Sequence, residues 1–167
     1  MTHYKSNLRD LEFNLFEVFD TASTMGHGLY SEIDADTARD ILREVTRIAE
    51  NDLAAPFAEA DRNPPVFDPS TNTVELPDSF KKAYRTMMDS EYWRLDVPPA
   101  LGGTNAPRTL WWAFADLVLG ANPALWMYAA GPSFAHTLER EGTEEQRNWA
   151  KLFADKQWGA TMVLTEP

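Results

Sequence analysis

A change of pattern near residue 158 constrains the fold of this chain more than any other feature of its sequence. Most of the 167 residues carry helical periodicity, whereas residues 158–164, with the sequence WGATMVL, have the apolar and β-branched character of a strand. No segment of comparable strength could pair with it, and a single strand cannot satisfy its own hydrogen-bonding groups. The sequence therefore predicts a mainly α fold that stops where a sheet domain should begin.

Apolar residues spaced three and four apart predict six helices before that point. The predicted helices cover residues 8–19, 35–60, 78–92, 108–119 and 123–140, and the last one begins at Thr143. Pro56 is expected to kink or break the second helix, and Pro132 to bend the fifth. Between the second and third helices, Val66-Phe67 and Val74 flank a turn-rich tip and predict a small β-hairpin.

Helix ends and helix faces are marked as well. Asp34 or Asp36 suits the N-cap of the second helix, and Thr143 followed by Gln146 predicts a capping box. The fourth helix is apolar almost all round, which predicts that it is buried. The inner face of the last helix is expected to consist of Trp149, Leu152 and Phe153.

Composition excludes several classes of protein. Fifteen basic and 26 acidic residues give a net charge of −11, which argues against binding to nucleic acid or to an anionic membrane surface. The absence of cysteine excludes disulfide scaffolds, thiolate metal sites and cysteine nucleophiles. No apolar run approaches the ~18 residues that a bilayer requires, and the first residues contain no signal-peptide core. We therefore expect a cytoplasmic protein without a membrane span.

The common catalytic and metal-binding motifs are not found. Gly26-His27-Gly28 lacks the third glycine of a dinucleotide-binding turn, and residues 131–135 lack the spacing of a nucleophile elbow. His136 and Glu139 have the reverse order of a di-iron motif and occur once, so no metal site is predicted. Four tryptophans at helical-core spacing are expected to pack in the core: Trp111, Trp112, Trp126 and Trp149. Composition and spacing alone thus indicate only a soluble helical domain.

Three segments, in this order and spacing, resemble the amino-terminal half of an acyl-CoA dehydrogenase. They are Val97-Pro98-Pro99-Ala100-Leu101-Gly102-Gly103, Gly142-Thr143-Glu144-Glu145-Gln146, and Gly159 to Val163 followed by Leu164-Thr165-Glu166-Pro167. The opening residues 4–11 and the hairpin before Phe80-Lys81 resemble a larger bacterial branch of the family, which carries an added amino-terminal segment. The resemblance covers essentially the whole chain. It departs at Thr104-Asn105-Ala106-Pro107, where the family usually has another glycine.

The resemblance implies a fold and a division of the chain. The fold is the amino-terminal helical bundle of the family with a small β-hairpin, ending at the first strand of a β-barrel-like middle domain. Residues 1–34 would form an amino-terminal extension, residues 35–156 the helical domain, and residues 157–167 the truncated start of the middle domain.

The resemblance also implies a cofactor and candidate binding residues. The family binds FAD and oxidises an acyl-CoA to the trans-2-enoyl-CoA. Backbone groups of Met162 and Leu164 and the hydroxyl of Thr165 would meet the polar edge of the flavin, and Glu166 would have a structural role. The acyl chain pocket would be lined by Trp126, Ala129 and Ala130, for which plain core packing remains the alternative.

The remaining parts of the enzyme are expected downstream of Pro167. The family's catalytic glutamate and most adenosine contacts lie in a carboxy-terminal helical bundle, so no catalytic residue is predicted in this stretch. We expect the stretch to be inactive alone and to be a piece of a longer enzyme. The resemblance implies an electron acceptor such as an electron-transfer flavoprotein, and a homodimer or homotetramer.

Two alternatives stay open. The first is an acyl-CoA oxidase or a nitroalkane oxidase, since these share the fold and the Thr-Glu-Pro region. The second is a non-catalytic helical interaction module of the same ancestry, in which another chain would cover the terminal strand.

Overall fold

The computed structural model of the chain describes residues 2–161 and residue 165. Its helices are α1 (Leu8–Glu12), α2 (Ala35–Ile48), α3 (Phe57–Arg62), α4 (Asp78–Asp89), α5 (Arg108–Ala121), α6 (Pro123–Tyr128), α7 (Gly131–Glu141) and α8 (Glu144–Lys156). Its strands, β1 (Val66–Asp68) and β2 (Thr73–Glu75), form one antiparallel hairpin. The predicted mainly α fold with a small hairpin is confirmed. Among the described helices, none is long and apolar enough to cross a membrane.

The hairpin forms where the turn-rich tip predicted it. Phe67 pairs with Val74, and the Asp68 carboxylate accepts hydrogen bonds from the Ser70 amide at 2.8 Å and from the Ser70 hydroxyl at 2.7 Å. Asn72 adopts the left-handed conformation, with φ of 53°, which a short polar side chain tolerates. Local turn chemistry is therefore sufficient to close this hairpin.

The second predicted helix breaks at its proline, as expected. The α2 helix continues through a π-helical turn, Ala49–Leu53, and Pro56 is the N-cap of α3. At the start of α2, the Asp34 carboxylate accepts a hydrogen bond from the Thr37 amide at 2.7 Å. This bond identifies Asp34 rather than Asp36 as the cap. That hydrogen bond also lowers the pKa of Asp34.

Three predicted helices differ from the observed ones. The first continues from α1 into a π-helix, Phe13–Val18. The third ends at Asp89 and is followed by a 3-10 helix, Tyr92–Asp96. The fifth is two helices, because the chain breaks at Ala129-Ala130 and Pro132 lies in the first turn of α7. A proline in a first turn costs no hydrogen bond, so the α6–α7 break accommodates Pro132 without a bent helix.

The α5 helix lies mostly in the core, as its apolar sequence predicts. Leu110, Trp111 and Phe114 are buried, whereas Leu119 is 37% exposed and Trp112 is 58% exposed, so the predicted core position of Trp112 is wrong. The side chains that are almost completely buried include Trp93, Leu42, Leu53, Met88, Leu110, Leu117 and Leu125. The indole of Trp93 donates a hydrogen bond to the Met88 carbonyl at 3.0 Å, which satisfies its one polar group inside the core.

The α8 helix has the predicted capping box but not the predicted inner face. The Gln146 amide donates to the Thr143 hydroxyl, and the Gln146 side chain accepts from the Thr143 amide. The buried residues are Ala150 and Ala154, whereas Trp149 and Leu152 are exposed and Phe153 is partly buried. The α7–α8 pair has the most extensive contact of any pair of described elements, and small residues permit that close approach.

The predicted terminal strand is described only in part. Residues 158–161 pair with no strand in the described part of the chain, and residues 162–164 lie outside the described residues. The strand therefore stays a prediction.

Candidate functional site

A cavity of about 120 Å³ lies where α5, α6 and α7 meet. Three of its lining residues, Trp126, Ala129 and Ala130, are those assigned to the acyl pocket by the family resemblance. Its other walls include Trp93, Trp111 and Ser133. The fold thus brings the three candidate residues together around one space.

Aromatic rings form the rigid side of this cavity. The ring centroids of Trp111 and Trp126 are 5.2 Å apart, and that of Phe114 lies 5.1 Å from Trp111 and 5.9 Å from Trp126. Such tilted arrangements are favourable for aromatic packing. Trp111 therefore both packs in the core and lines the cavity.

The break between α6 and α7 gives the cavity its second side. Asn122 starts α6: its carboxamide oxygen accepts from the Leu125 amide, and its amide group donates to the Leu53 carbonyl at 3.2 Å. Both bonds are buried: the first caps α6, and the second ties the start of α6 to the end of the π-helical turn after α2. Ala129 and Ala130 then present small side chains between two helix ends, which leaves space that larger residues would fill.

The lining suits an apolar group. None of the described residues that line the cavity carries a charge, and the Ser133 side chain is a polar group at its edge. An apolar space of this size can hold a small hydrocarbon group. The arrangement can bind part of an alkyl chain, and it contains no residue placed for proton transfer.

A separate apolar cleft of about 180 Å³ lies elsewhere against α6. It is lined by residues that include Phe57, Leu76, Phe80, Pro123 and Tyr128. None of the candidate site residues lines it, so the smaller cavity remains the candidate site.

The segment after α8 crosses the start of α7, where the Trp158 carbonyl meets Gly131. Gln157 adopts the left-handed conformation, with φ of 51°, and turns the chain back toward α7. The Tyr84 hydroxyl donates to the Gln157 carbonyl at 3.5 Å, and burial raises the pKa of Tyr84. Thr165 is exposed, whereas Met162 and Leu164 lie outside the described residues. The cofactor role of these three residues stays a prediction.

The turn before α5 is held by charged groups that the sequence analysis missed. The Asp96 carboxylate is buried and forms an ion pair with Arg108, and the Asp96 carbonyl lies 3.2 Å from Nδ1 of His136. His136 is thus partly buried and paired with a neighbour. In the described ranges, no three His, Cys, Asp or Glu side chains are grouped so that they could hold a metal ion.

Two glycines let residues 97–103 fold back on themselves. A Cβ on Gly103 would lie 1.7 Å from the Val97 carbonyl oxygen, so only glycine fits there. Gly102 has φ of +76°, and its carbonyl accepts from the Arg94 guanidinium at 3.0 Å. This segment therefore forms a compact turn, not an extended loop.

Comparison with known proteins links the whole chain to one group of enzymes. The chain is 53% identical over 167 residues to the broad-specificity linear acyl-CoA dehydrogenase FadE5 of Mycobacterium tuberculosis, a match that covers all of this chain and 27% of that protein. It is 26% identical over 169 residues to 3-methylmercaptopropionyl-CoA dehydrogenase of Ruegeria pomeroyi, covering 98% of this chain and 28% of that protein. No protein-family model matches the chain. The chain thus spans little more than a quarter of the length of these curated relatives.

Proposed function

We propose that this chain is part of an FAD-dependent enzyme that oxidises linear acyl-CoA to trans-2-enoyl-CoA. The premise is that the chain belongs to the acyl-CoA dehydrogenase family, as an amino-terminal region. The observation that carries this proposal is the 53% identity across the whole chain to a broad-specificity linear acyl-CoA dehydrogenase. The structure supports the proposal as well, because an apolar cavity lies at Trp126, Ala129 and Ala130. The metabolic setting would be fatty-acid β-oxidation or related lipid metabolism.

The division of the chain follows the same proposal. Residues 1–34 are the extension, residues 35–156 the helical domain and residues 157–167 the start of the middle domain. The Asp34 cap at the start of α2 and the end of α8 at Lys156 support these boundaries.

The cavity would hold a small part of the acyl chain. Its volume of about 120 Å³ is similar to that of an engineered cavity of about 150 Å³ that binds benzene. It therefore has room for only a few carbon atoms, each CH₂ contributing about 0.8 kcal/mol when buried. The Trp111 and Trp126 indoles orient and limit the chain, while Ala129 and Ala130 leave the space open.

The segment after α8 would supply the flavin contacts. FAD, when bound, accepts the two electrons that leave the substrate. Thr165 has an exposed side chain, so its hydroxyl is accessible to a polar cofactor edge, which fits the group. The backbone groups of Met162 and Leu164 complete the proposed set, and the catalytic base is expected downstream.

The proposal extends to partners. The intact enzyme would use an electron acceptor such as an electron-transfer flavoprotein and would be a cytoplasmic homodimer or homotetramer. Exposed large apolar residues, among them Trp149, Met127 and Trp158, support a larger assembly because such side chains are usually covered at interfaces.

The test is made on the native gene product. Its intact mass is measured first, and then its flavin absorbance and its oxidation of linear acyl-CoAs with an artificial acceptor. We expect a mass well above 18.9 kDa, bound FAD, and turnover that the 167-residue chain lacks. An 18.9 kDa product without flavin would contradict the proposal and favour the interaction module. Rapid reoxidation of the reduced flavin by oxygen would favour an oxidase instead.

A further inference from the structure

Gly131, at the start of α7, touches the backbone of the segment that follows α8. A Cβ built on Gly131 would lie 1.6 Å from the Trp158 carbonyl oxygen and 2.7 Å from its carbon. The Gly131 hydrogen that takes the place of that Cβ therefore points at the carbonyl, as in a Cα–H···O contact. The two backbones cross at a distance that only glycine permits.

The crossing segment is supported from the other side as well. The Trp158 amide donates to the Phe153 carbonyl at 3.3 Å, and the Trp158 ring meets the Phe153 ring edge-on at 6.2 Å. Both contacts tie the segment to the end of α8, which packs on α7. Moving the carbonyl away from Gly131 would therefore disturb both of these contacts.

The crossing point lies against the candidate site. Ala130 and Pro132, the neighbours of Gly131, line the cavity of about 120 Å³. On the other side, Gly159 lines an open cleft of about 400 Å³ together with Tyr84 and Tyr128. The chain thus leaves α8 and crosses the start of α7 at Gly131, between the cavity and this cleft.

We infer that Gly131 is a positioning residue: its lack of a side chain sets the path of residues 157–161 past the start of α7, beside the cavity, and so the direction from which the chain enters the proposed flavin-binding segment. This inference rests on the proposed function. With alanine at position 131, the Trp158 oxygen would have to move by about 1.5 Å to reach an ordinary contact distance. A displacement of about 1 Å near a reacting centre costs up to 10²-fold in rate.

The test compares Gly131→Ala with Gly120→Ala in the full-length protein. Both glycines are helical, and a Cβ on Gly120 would also clash, at 2.6 Å, but with the movable ring of Tyr4 rather than with backbone. Three quantities are measured: trypsin cleavage after Lys156 under native conditions, FAD retained per chain, and kcat and KM for a linear acyl-CoA. The first of these does not depend on the flavin.

For Gly131→Ala we expect cleavage after Lys156 to be about tenfold faster, because the displaced segment is more open to protease. We also expect loss of retained FAD and a kcat lower by up to about 10²-fold with little change in KM. Gly120→Ala should leave all three unchanged although it lowers the overall stability, because its clash is with Tyr4 in the amino-terminal segment and not with residues 157–161. A merely structural role would reduce the amount of folded enzyme but not kcat per flavin-loaded chain.

Normal FAD retention and normal kcat in Gly131→Ala would overturn the inference, whereas a wild-type protein without FAD would overturn the proposed function alone. If Gly131→Ala does not fold, Trp158→Pro displaces the same carbonyl without changing α7, since it removes the amide that donates to Phe153. Trp158 is half exposed, so the core is preserved. Loss of FAD in Trp158→Pro supports the inference, and unchanged FAD overturns it.

Discussion

The segments at the two ends of the described chain are attached to the helical core by different forces. Near the amino terminus, the Glu50 carboxylate accepts hydrogen bonds from Lys5 Nζ at 2.8 Å, the Ser6 amide at 2.9 Å and the Ser6 hydroxyl at 2.8 Å. After α8, the chain is held mainly by close packing, with the Trp158 carbonyl against Gly131. The first attachment combines this charged hydrogen-bond network with packing of the Tyr4 ring, and the second depends on the absence of a side chain.

This difference determines which substitutions should damage each attachment. Removing a side chain breaks the polar attachment, because Glu50 is then left without its partners. Adding a side chain breaks the packed attachment, because the Trp158 backbone must then move away from Gly131. The two regions should therefore respond in opposite ways to larger and smaller residues, and to pH.

The largest expected effect is in the helix pair that carries the packed segment. Ala150 is fully buried on α8, so Ala150→Leu should lower the free energy of unfolding by about 3 kcal/mol through overpacking. Urea unfolding measures this. Trp149→Leu is the matched control, because Trp149 is the adjacent residue and 47% exposed, and it should change stability by about 0.5 kcal/mol or less. Equal effects at both positions would mean that α7 and α8 are not closely packed.

Alanine packing also explains why the inner face of α8 was predicted wrongly. Large apolar residues usually mark the buried face of a helix, which favoured Trp149 and Leu152. When two helices approach closely, small residues are buried and large ones are displaced to the rim. The sequence alone does not show how closely α7 and α8 approach, so Ala150 and Ala154 were not recognised.

Features that depend on neighbouring residues were predicted well. The Asp34 cap, the Thr143–Gln146 capping box, the Pro56 break and the hairpin around residues 68–73 all depend on a few adjacent residues. In contrast, the α6–α7 break was missed because Pro132 fits a bent helix as well as a new first turn.

For the candidate site, the resemblance named Trp126, Ala129 and Ala130, but periodicity could not separate a cavity wall from core packing. Trp111 and Ser133 also line the cavity, but only the folding of the chain brings them next to these three residues. Gly131 was missed for the same reason, since its contact is with a residue 27 positions away.

The second prediction concerns the ring that holds the amino-terminal segment. Tyr4 is half-buried, and its ring packs on α5 at Gly120. Tyr4→Ala should lower stability by about 2 kcal/mol, since part of an aromatic side chain leaves the core surface. Tyr4→Phe keeps the ring and is the control.

A double-mutant cycle sharpens this prediction. Gly120→Ala should destabilise the protein when Tyr4 is present but not when residue 4 is alanine, because the added methyl group then fills the gap. Urea unfolding of the four variants measures the coupling. Additive effects would show that Tyr4 does not pack on Gly120.

The smallest expected effect is the pH dependence of the polar attachment. The hydrogen bond from Lys5, followed by that from the Ser6 amide, lowers the pKa of Glu50 below its usual 4.5. A lowered pKa means that the carboxylate stabilises the fold fully above pH 4.5, and that this contribution is lost as the pH falls through the lower folded-state value. Its size at pH 7 should be about 1 kcal/mol, as for hydrogen bonds to a charged group near the surface.

Glu50→Gln removes the charge but keeps the shape of the side chain. The stability difference between wild type and Glu50→Gln should be about 1 kcal/mol at pH 7 and should shrink as the pH falls below 4.5, because the carboxylate takes up a proton in the unfolded chain at a higher pH than in the folded chain. Using the difference cancels the titration of the other acidic residues. Gly131→Ala should show a pH-independent difference over the same range, since no titratable group takes part in the Trp158 contact. A Glu50 difference that stays constant from pH 7 to pH 3 would mean that shape, not charge, holds the amino-terminal segment, and the two attachments would then be of one kind.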